Sequence, residues 1–552
     1  MNKIILPFLL VASLFAAPSE ADDTVIVPSL KGLVFLAGSQ DFKKTGVADP
    51  GISLTALPLL NQSTFKDEIT GYLGQPLTLK GLTEITSKVS AFYKRLDHPM
   101  VDVVAPEQDV STGVIQIVVN EFRVGEVRVE GNRWFSENLV ASSITLQPGD
   151  TINTNQLLNE LDAANTNPFR HVDLTYQPST QPGYTDLVLD TKDRFPVTAY
   201  AGFDNSGTAV TGRSRWNMGV TWGNALWQDQ TLSYQFTASD NFFSRNGPAL
   251  FVSNGFSWTM PLRQGKDSVS LFGNFQTSTP NIGADFGYQG KSGQAGTRYS
   301  FALPRTHKFV ESLQIGFDFK FTNNNLAFGG TQVSRTSAEI DQFPVSYAFN
   351  MTDPYGSSSC SNTFVYSPGG LTPTNSRIYF QPGIAQSGIP GALARYGYWR
   401  TDFTRLTKLP YKGVYALRFV GQESTANLLY TEKLSGGGPD ILRGYDPNSV
   451  YGDRGVILSN ELRTPSLKPW PEYNLGEAQF FVFYDYGHLH AAQPFPGALN
   501  LVNAASVGTG VRYQLRSNLT SHVSYGRALI QLPYANSSAR NSFVDLALTM
   551  AY

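Results

Sequence analysis

Few residues of this chain are spaced for catalysis. His488 and His490 stand two apart, which puts both on one face of a strand and within reach of a shared metal ion. No cysteine or carboxylate lies beside them at ligand spacing, so no metal site is expected. The other histidines, His98, His171, His307 and His522, are scattered. The run Gly436-Gly437-Gly438 lacks the Gly-Lys-Ser/Thr of a phosphate-binding loop and reads as a flexible loop hinge. Cys360 is the single cysteine and cannot pair within the chain; its Gly/Ser/Pro-rich surroundings suggest a loop thiol. Neither Gly-x-Ser-x-Gly nor His-Glu-x-x-His occurs. The expectation is a protein with no catalytic residue and no cofactor. What remains is a pair of short polar motifs in the C-terminal half. One is Leu442-Arg443-Gly444-Tyr445, just after the glycine run. The other is Phe483-Tyr484-Asp485-Tyr486-Gly487, in an alternating stretch.

The elements that must carry these motifs begin with an export signal. Lys3 precedes the apolar run Ile4 to Phe15, Pro18 breaks it, and Ser19 and Ala21 offer small residues for cleavage after Ala21. Residues 1–21 are therefore expected to be a signal peptide. The run is too short to span a bilayer as a helix, which needs about 20 residues. No cysteine follows the cut, which argues against a lipoprotein. The formal net charge of −2 gives no general attraction to nucleic acid. Mean hydropathy of −0.18 is too polar for a bundle of membrane helices. Charged residues make up only 16% and aromatics 12%, with 50 glycines, which suits a β-rich protein with many turns.

Two styles of sequence meet near Arg194. Before it, a β-α-α-β-β module of about 70 to 90 residues is used twice, its helices covering a three-stranded sheet. In the first copy, Leu33 to Leu36 is a strand and Ser63 to Tyr72 a helix. Thr78 caps a longer helix whose apolar stripe is Leu79, Leu82, Ile85, Val89, Phe92 and Leu96. Asp97-His98-Pro99 ends it, and strands follow around Val101–Val104 and Val114–Val119. In the second copy, Val124 to Val129 is a strand and Ser136 caps a short helix to Ile144. Thr154 opens a helix with Leu157, Leu158, Leu161 and Ala164 on one side, and Val172–Tyr176 and Leu187–Leu189 close the sheet.

After Arg194 no convincing helix is found. Thr231–Ala238, Leu313–Phe321, Val507–Leu515 and Leu519–Tyr525 each alternate a large apolar face with a small or polar one. Such alternation over roughly 350 residues is too long for an ordinary sandwich. A bilayer accounts for it, because strands must close into a barrel with their apolar face to lipid. Asp318 and Lys320 would then face a wet lumen. At roughly 22 residues per strand and connection, the stretch holds about 16 strands. The last strand runs from Val544 and ends on an aromatic, Tyr552, as a C-terminal strand signal.

The chain at this point resembles the outer-membrane transporters of two-partner secretion, the haemolysin secretion/activation family, which join periplasmic POTRA domains to a 16-stranded transmembrane antiparallel barrel. Three pieces carry the resemblance. Pro106–Gly113 through Gly125–Asn132, with Tyr72–Thr78 before it, is similar to the junction of two POTRA domains. Gly436–Tyr445, with Gly452-Asp453-Arg454-Gly455 and Glu461-Leu462-Arg463, is similar to a Val-Arg-Gly-Phe/Tyr loop that folds back into the barrel; Leu442 replaces the usual valine. Phe483-Tyr484-Asp485-Tyr486-Gly487 matches a Phe-x-Asp-x-Gly wall motif.

The resemblance implies POTRA domains at 28–121 and 122–194. It implies a barrel over 195–552, with an inward loop around 434–456. It also implies that Arg443 meets Asp485 inside the lumen, a bidentate contact that would fix direction while adding only about 1 kcal/mol in a wet lumen. The expected partners are a large secreted or surface exoprotein, outer-membrane lipid and the barrel assembly machinery, with a monomer as the working state. Cargo would be captured unfolded by strand addition to the POTRA domains and conducted outward, its folding outside supplying the drive. The plug helix that many members carry before the first POTRA domain has no counterpart between Ala21 and Leu33. The rivals are a barrel-assembly factor, whose relatives carry three or more POTRA domains, and a diffusion porin or barrel enzyme.

Overall fold

The computed structural model describes residues 24–552 except 245–248, 263–266, 281–285, 304–307, 329–330, 383–388, 470–475, 498–499, 517 and 533–541. The expected signal peptide and His307 lie outside the described residues. The chain divides into two compact units at Asp193/Arg194, with Asn167–Phe169 grouping with the second.

The first unit holds two main sheets, together with a two-stranded pairing of Val25–Val27 and Leu77–Thr78. The first sheet runs in the order Gly51–Thr55, Gly32–Leu36, Val114–Glu121, Val101–Val104. Val114 to Val119 is buried at every position, as a central strand covered on both faces must be. The helix Leu79–Arg95 starts where the Thr78 hydroxyl accepts from the Gly81 N–H at 3.1 Å. Its Ile85, Val89 and Phe92 pack with Phe35 and Phe65, whose rings stand 5.5 Å apart. The sheet has four strands where the sequence suggested three. Gly51–Thr55 was missed because five residues after a proline give too little alternation to register. It lies parallel to Gly32–Leu36. Leu79, expected in the apolar stripe, is exposed, because it occupies the first turn, before the stripe meets the sheet.

The second sheet has three strands, Arg123–Glu130, Tyr184–Asp193 and Arg170–Pro178, in that order. The Ser136 hydroxyl caps Glu137–Ala141, which stops short of Ile144. Thr154–Ala164 is capped by Asn153 and buries Leu157, Ala163 and Ala164. Leu158 is exposed, contrary to expectation, and the inner face takes Glu160 in its place. That carboxylate is buried because it accepts from the Thr145 N–H at 2.9 Å. Asp186 is also buried. The Glu126 N–H, donating to it at 2.9 Å, holds its carboxyl below the usual carboxylate range, helped by Arg128.

The second unit is a closed barrel of 16 antiparallel strands, from Val197–Asp204 to Ser542–Ala551. First and last strands pair over Tyr200–Asp204 and Ala547–Ala551, and Tyr552 continues the seam by exchanging backbone hydrogen bonds with Ala199 at 2.8 and 3.1 Å. Strand Glu477–His490 shows the inside–outside rule. Phe480, Val482 and Tyr484 are half exposed, while Phe481, Phe483 and Asp485 between them are buried. Trp399 likewise points out beside buried Tyr398. No described helix is long and apolar enough to cross a membrane. Two expectations fail here. Cys360 is in strand Gly356–Ser367, opposite Phe349 and Phe403, and not in a loop. Its serine-rich neighbours are small residues of a wall strand rather than turn formers. A short helix, Arg377–Phe380, also interrupts a stretch read as helix-free; one turn is too brief to leave a period.

Candidate functional site

The segment between wall strands Val414–Ser424 and Arg454–Arg463 folds into the barrel. Leu434–Gly436 and Val450–Gly452 pair as a small hairpin. The expected loop end at 456 is too late, because Arg454 to Val456 already belong to the wall. Gly437 and Gly438 have φ of +103° and +101°, and their N–H groups donate to Ile441 and Tyr445 carbonyls at 2.9 and 3.0 Å. The glycine run is therefore a tight, bonded turn and not a loose hinge.

Arg443 stands at the tip of this fold, 6% exposed. Its backbone N–H and its Nε both donate to Asp485 Oδ2 at 2.9 Å, and Nη2 donates to Oδ1 at 2.8 Å. Nη1 donates to Glu461 on the adjacent strand. Glu461 also accepts from Arg512 at 2.7 Å and from Arg463 at 2.6 Å, so one carboxylate serves three guanidinium groups. The Arg443 guanidinium lies 3.7 Å from the Phe483 ring centroid, and that of Arg512 lies 4.3 Å from Phe481. Asp485 is fully buried. The pair is thus a desolvated network and not the wet contact worth about 1 kcal/mol that the sequence suggested. Removing one member of a buried ion pair costs about 3–5 kcal/mol, because the other charge is left without compensation.

The residues flanking Arg443 explain the rest of both motifs. Leu442 has φ of +53°, a conformation that costs a non-glycine residue about 1–2 kcal/mol. Its fully buried side chain, packed with Leu434, Ile457, Leu489 and Val502, offsets that by roughly 1.5–3 kcal/mol. A Cβ at Gly487 would stand 2.8 Å from the Leu442 side chain, so the wall motif ends in glycine to make room for the loop. Gly444 has φ of +97° and presses on the wall at Gly526, where a Cβ on either residue would come within 2.9 Å of the other's backbone. The Tyr445 hydroxyl lies 2.8 and 2.7 Å from the Ala505 and Ile530 carbonyls and accepts from the Ala505 N–H at 3.0 Å.

Leu442, Arg443, Gly444, Tyr445, Phe483, Asp485 and Gly487 thus meet at one place. Tyr552 lies apart at the seam. His488 and His490 share the outward face of their strand, ring centroids 5.8 Å apart. Sequence reasoning did not single out Arg512 and Gly526, nor give Glu461 a role. Strand alternation signals all three, since each shares the inward parity of its strand.

A second anchor lies at the base of the segment. Glu432, 1% exposed, accepts from Lys320 at 2.7 Å and from the Tyr398 hydroxyl at 3.1 Å. Asp318 is inward as expected, paired with Arg298 at 2.7 and 2.9 Å. A cavity of about 550 Å³ adjoins the tip, bordered by Arg418, Asp440, Arg512, His522 and Asp545.

An apolar-outside, charged-inside barrel with an ion-paired loop in its lumen, fused to α/β modules, defines an outer-membrane β-barrel transporter. The chain belongs to the haemolysin secretion/activation protein family ShlB/FhaC/HecB, matched over residues 183–513. Residues 50–121 match the ShlB-type POTRA domain. The outer membrane transporter CdiB-2 of Burkholderia pseudomallei is 24% identical over 481 residues, covering 86% of this chain and 77% of that protein. The heme/hemopexin transporter protein HuxB of Haemophilus influenzae is 22% identical over 502 residues, covering 88% and 85%. The structure of CdiB from Escherichia coli matches with a TM-score of 0.73 at 19% identity, over 98% of this chain and 93% of that one. The family is one of two-partner secretion transporters of the outer membrane, with the POTRA region in the periplasm.

Proposed function

We propose that this chain exports one large secreted or surface exoprotein, unfolded, through its barrel, and that the Arg443 anchor fixes the loop that occupies the lumen. In this reading a signal peptide, 1–21, is removed and two POTRA domains, 28–121 and 122–194, capture the cargo. Edge strands Val101–Val104 and Arg170–Pro178 offer main-chain groups for strand addition. The barrel, 195–552, is inserted by the assembly machinery, for which terminal Tyr552 is the strand signal, and works as a monomer. No cofactor takes part.

The observation that carries the reading is the buried contact of Arg443 with Asp485 and Glu461. The α/β modules ahead of the barrel, with residues 50–121 matching a POTRA domain, favour this reading over a diffusion pore. The test is deletion of the gene, with comparison of the culture supernatant and the outer-membrane proteome. Loss of one or two large exoproteins, with other barrels unchanged, is expected. A broad fall in barrel proteins would make the chain an assembly factor, and no change in either would return it to the porin class.

A further inference from the structure

The inward face of the barrel is not uniform. Strands Tyr396–Lys408 to Ser542–Ala551 line the lumen with charge. Arg418, Glu461, Arg463, Asp485, Arg512 and Asp545 all stand on that arc, each held by a charged or histidine partner. The first six strands, from Val197–Asp204 to Phe286–Ala302, differ. Met218, Tyr234, Phe256, Leu271 and Phe275 point out of this arc, so the residues alternating with them face the lumen. Register puts six of those on one rung: Tyr200, Gly219, Gln235, Gly255, Asn274 and Gln294, each opposite the next. The rung on one side holds Thr221, Ser233, Ser257 and Phe272, and the rung on the other holds Asn217, Thr237, Ser253 and Gln276. None of these residues carries a charge.

The rungs also differ in what their polar groups do. On the flanking rungs, the Thr221 and Ser233 hydroxyls bond each other at 3.0 Å, Thr237 donates to Asn217 at 2.8 Å, and Gln276 donates to Ser292 at 2.7 Å. On the middle rung, the amides of Gln235, Asn274 and Gln294 have no hydrogen-bond partner among the described residues, and Gln235 and Asn274 are exposed. Gly255 lies between those two, and a Cβ there would stand 3.8 Å from the nearest atom, so the gap is open. A cavity of about 410 Å³ runs along the rung, bordered by Tyr200, Gln235, Gly255, Asn274 and Gln294. Barrel strands tilt by about 35–45°, so a row that follows their hydrogen bonds climbs the wall as a ramp. From Gln235 to Gln294 the row crosses three strand spacings, about 14 Å, the length of about four residues of extended chain.

We infer that this neutral wall is the contact line for cargo, and that Gln235, Asn274 and Gln294 hold the main chain of an extended exoprotein segment as it passes. The inference deepens the export reading and rests on it. A primary amide carries both donor and acceptor, the same complement as a peptide group, so it pairs with main chain whatever the cargo side chains are. Such neutral bonds replace bonds to water at small net gain, which lets a chain be held and released. The charged arc does the reverse. Charge-assisted bonds are about twice as strong, and its groups are already committed to one another. The tip of the lumen segment rests on that arc through Arg443, which leaves the neutral wall to the cargo.

The test uses the full chain in cells and the exoprotein that disappears when the gene is deleted. A photo-crosslinking residue, p-benzoylphenylalanine, replaces Asn274 or Gln294 on the neutral wall, or Thr404 on the charged arc opposite Arg418. Attachment of the exoprotein should be about tenfold greater from the first two positions than from the third. Gly255→Trp, which fills the gap, should lower export about tenfold at equal barrel abundance. Gly255→Ala should export as wild type, showing that a side chain is tolerated there. Equal attachment from both walls, or wild-type export from Gly255→Trp, would overturn the inference. A gene deletion that removes no exoprotein would overturn the export reading itself, a result distinct from either.

Discussion

The two units of this chain are built inside out relative to one another. The first puts Phe35, Phe65, Ile85 and Val89 in its core and keeps most charges on its surface. The barrel turns Trp399, Phe480, Val482 and Tyr484 outward and buries Arg443, Glu461, Asp485 and Asp318. The same residue types obey the same physics, but the solvent differs. Water surrounds one unit, and lipid surrounds the other. Charge in the barrel then has one place to go, and once crowded into the lumen it must be paired. The anchored loop is a consequence of that crowding and, in the proposed reading, a functional device as well.

The contrast can be broken at several strengths. Phe65→Ala should remove about 3–5 kcal/mol from the first unit, through lost burial and the cavity left behind. Its unfolding transition in the full-length protein should fall while the barrel transition stays. Arg443→Ala should cost a similar about 3–5 kcal/mol locally, by stranding Asp485, whereas Glu461 keeps Arg463 and Arg512. Faster proteolysis within 425–453 reads that loss. The exchange Arg443→Asp with Asp485→Arg should not rescue it, because an aspartate at 443 faces Glu461. Val482→Arg, on the lipid face, should cost about 2–4 kcal/mol near the membrane midplane, seen as reduced insertion. The adjacent inward Phe483→Arg should insert normally and fail at the loop.

The smallest effect is a pH effect confined to the first unit. The folded carboxyl of Asp186 is held below its ordinary value, first by the Glu126 N–H. The stability it contributes is therefore complete above the unfolded pKa of about 3.9 and is lost as pH falls through the lower folded value. Below pH of about 4, the midpoint of the first unit should fall more steeply in the wild type than in Asp186→Asn. The barrel transition should not distinguish them.

Much of this was legible because the bilayer imposes a simple rule on sequence. Leu313–Phe321 alternates without a fault, and its parity sends Asp318 and Lys320 inward. What alternation conveys poorly is anything held together by distance in the chain. Glu461 and Arg512 can be assigned to the lumen from parity, but their meeting on Arg443 depends on strand register. Asn427 and Asp453 sit between strands with no period at all, and apart from Lys433 on Asp453 their side chains bond to backbone groups that any residue supplies. Gly51–Thr55 escaped because a short parallel strand draws its support from a neighbour and not from its own pattern. Leu158 and Glu160 exchanged places because a buried hydrogen bond to Thr145 outweighs the apolar preference.

The central claim is that the lumen face of one strand runs export while its lipid face only holds the barrel in the membrane. Adjacent residues test it most directly. A strain lacking the gene should be complemented with wild type, Asp485→Ala or Tyr484→Ala, and the missing exoprotein measured in the supernatant at equal barrel abundance. The account predicts export near wild type from Tyr484→Ala and almost none from Asp485→Ala. Equal export from the two variants would contradict it.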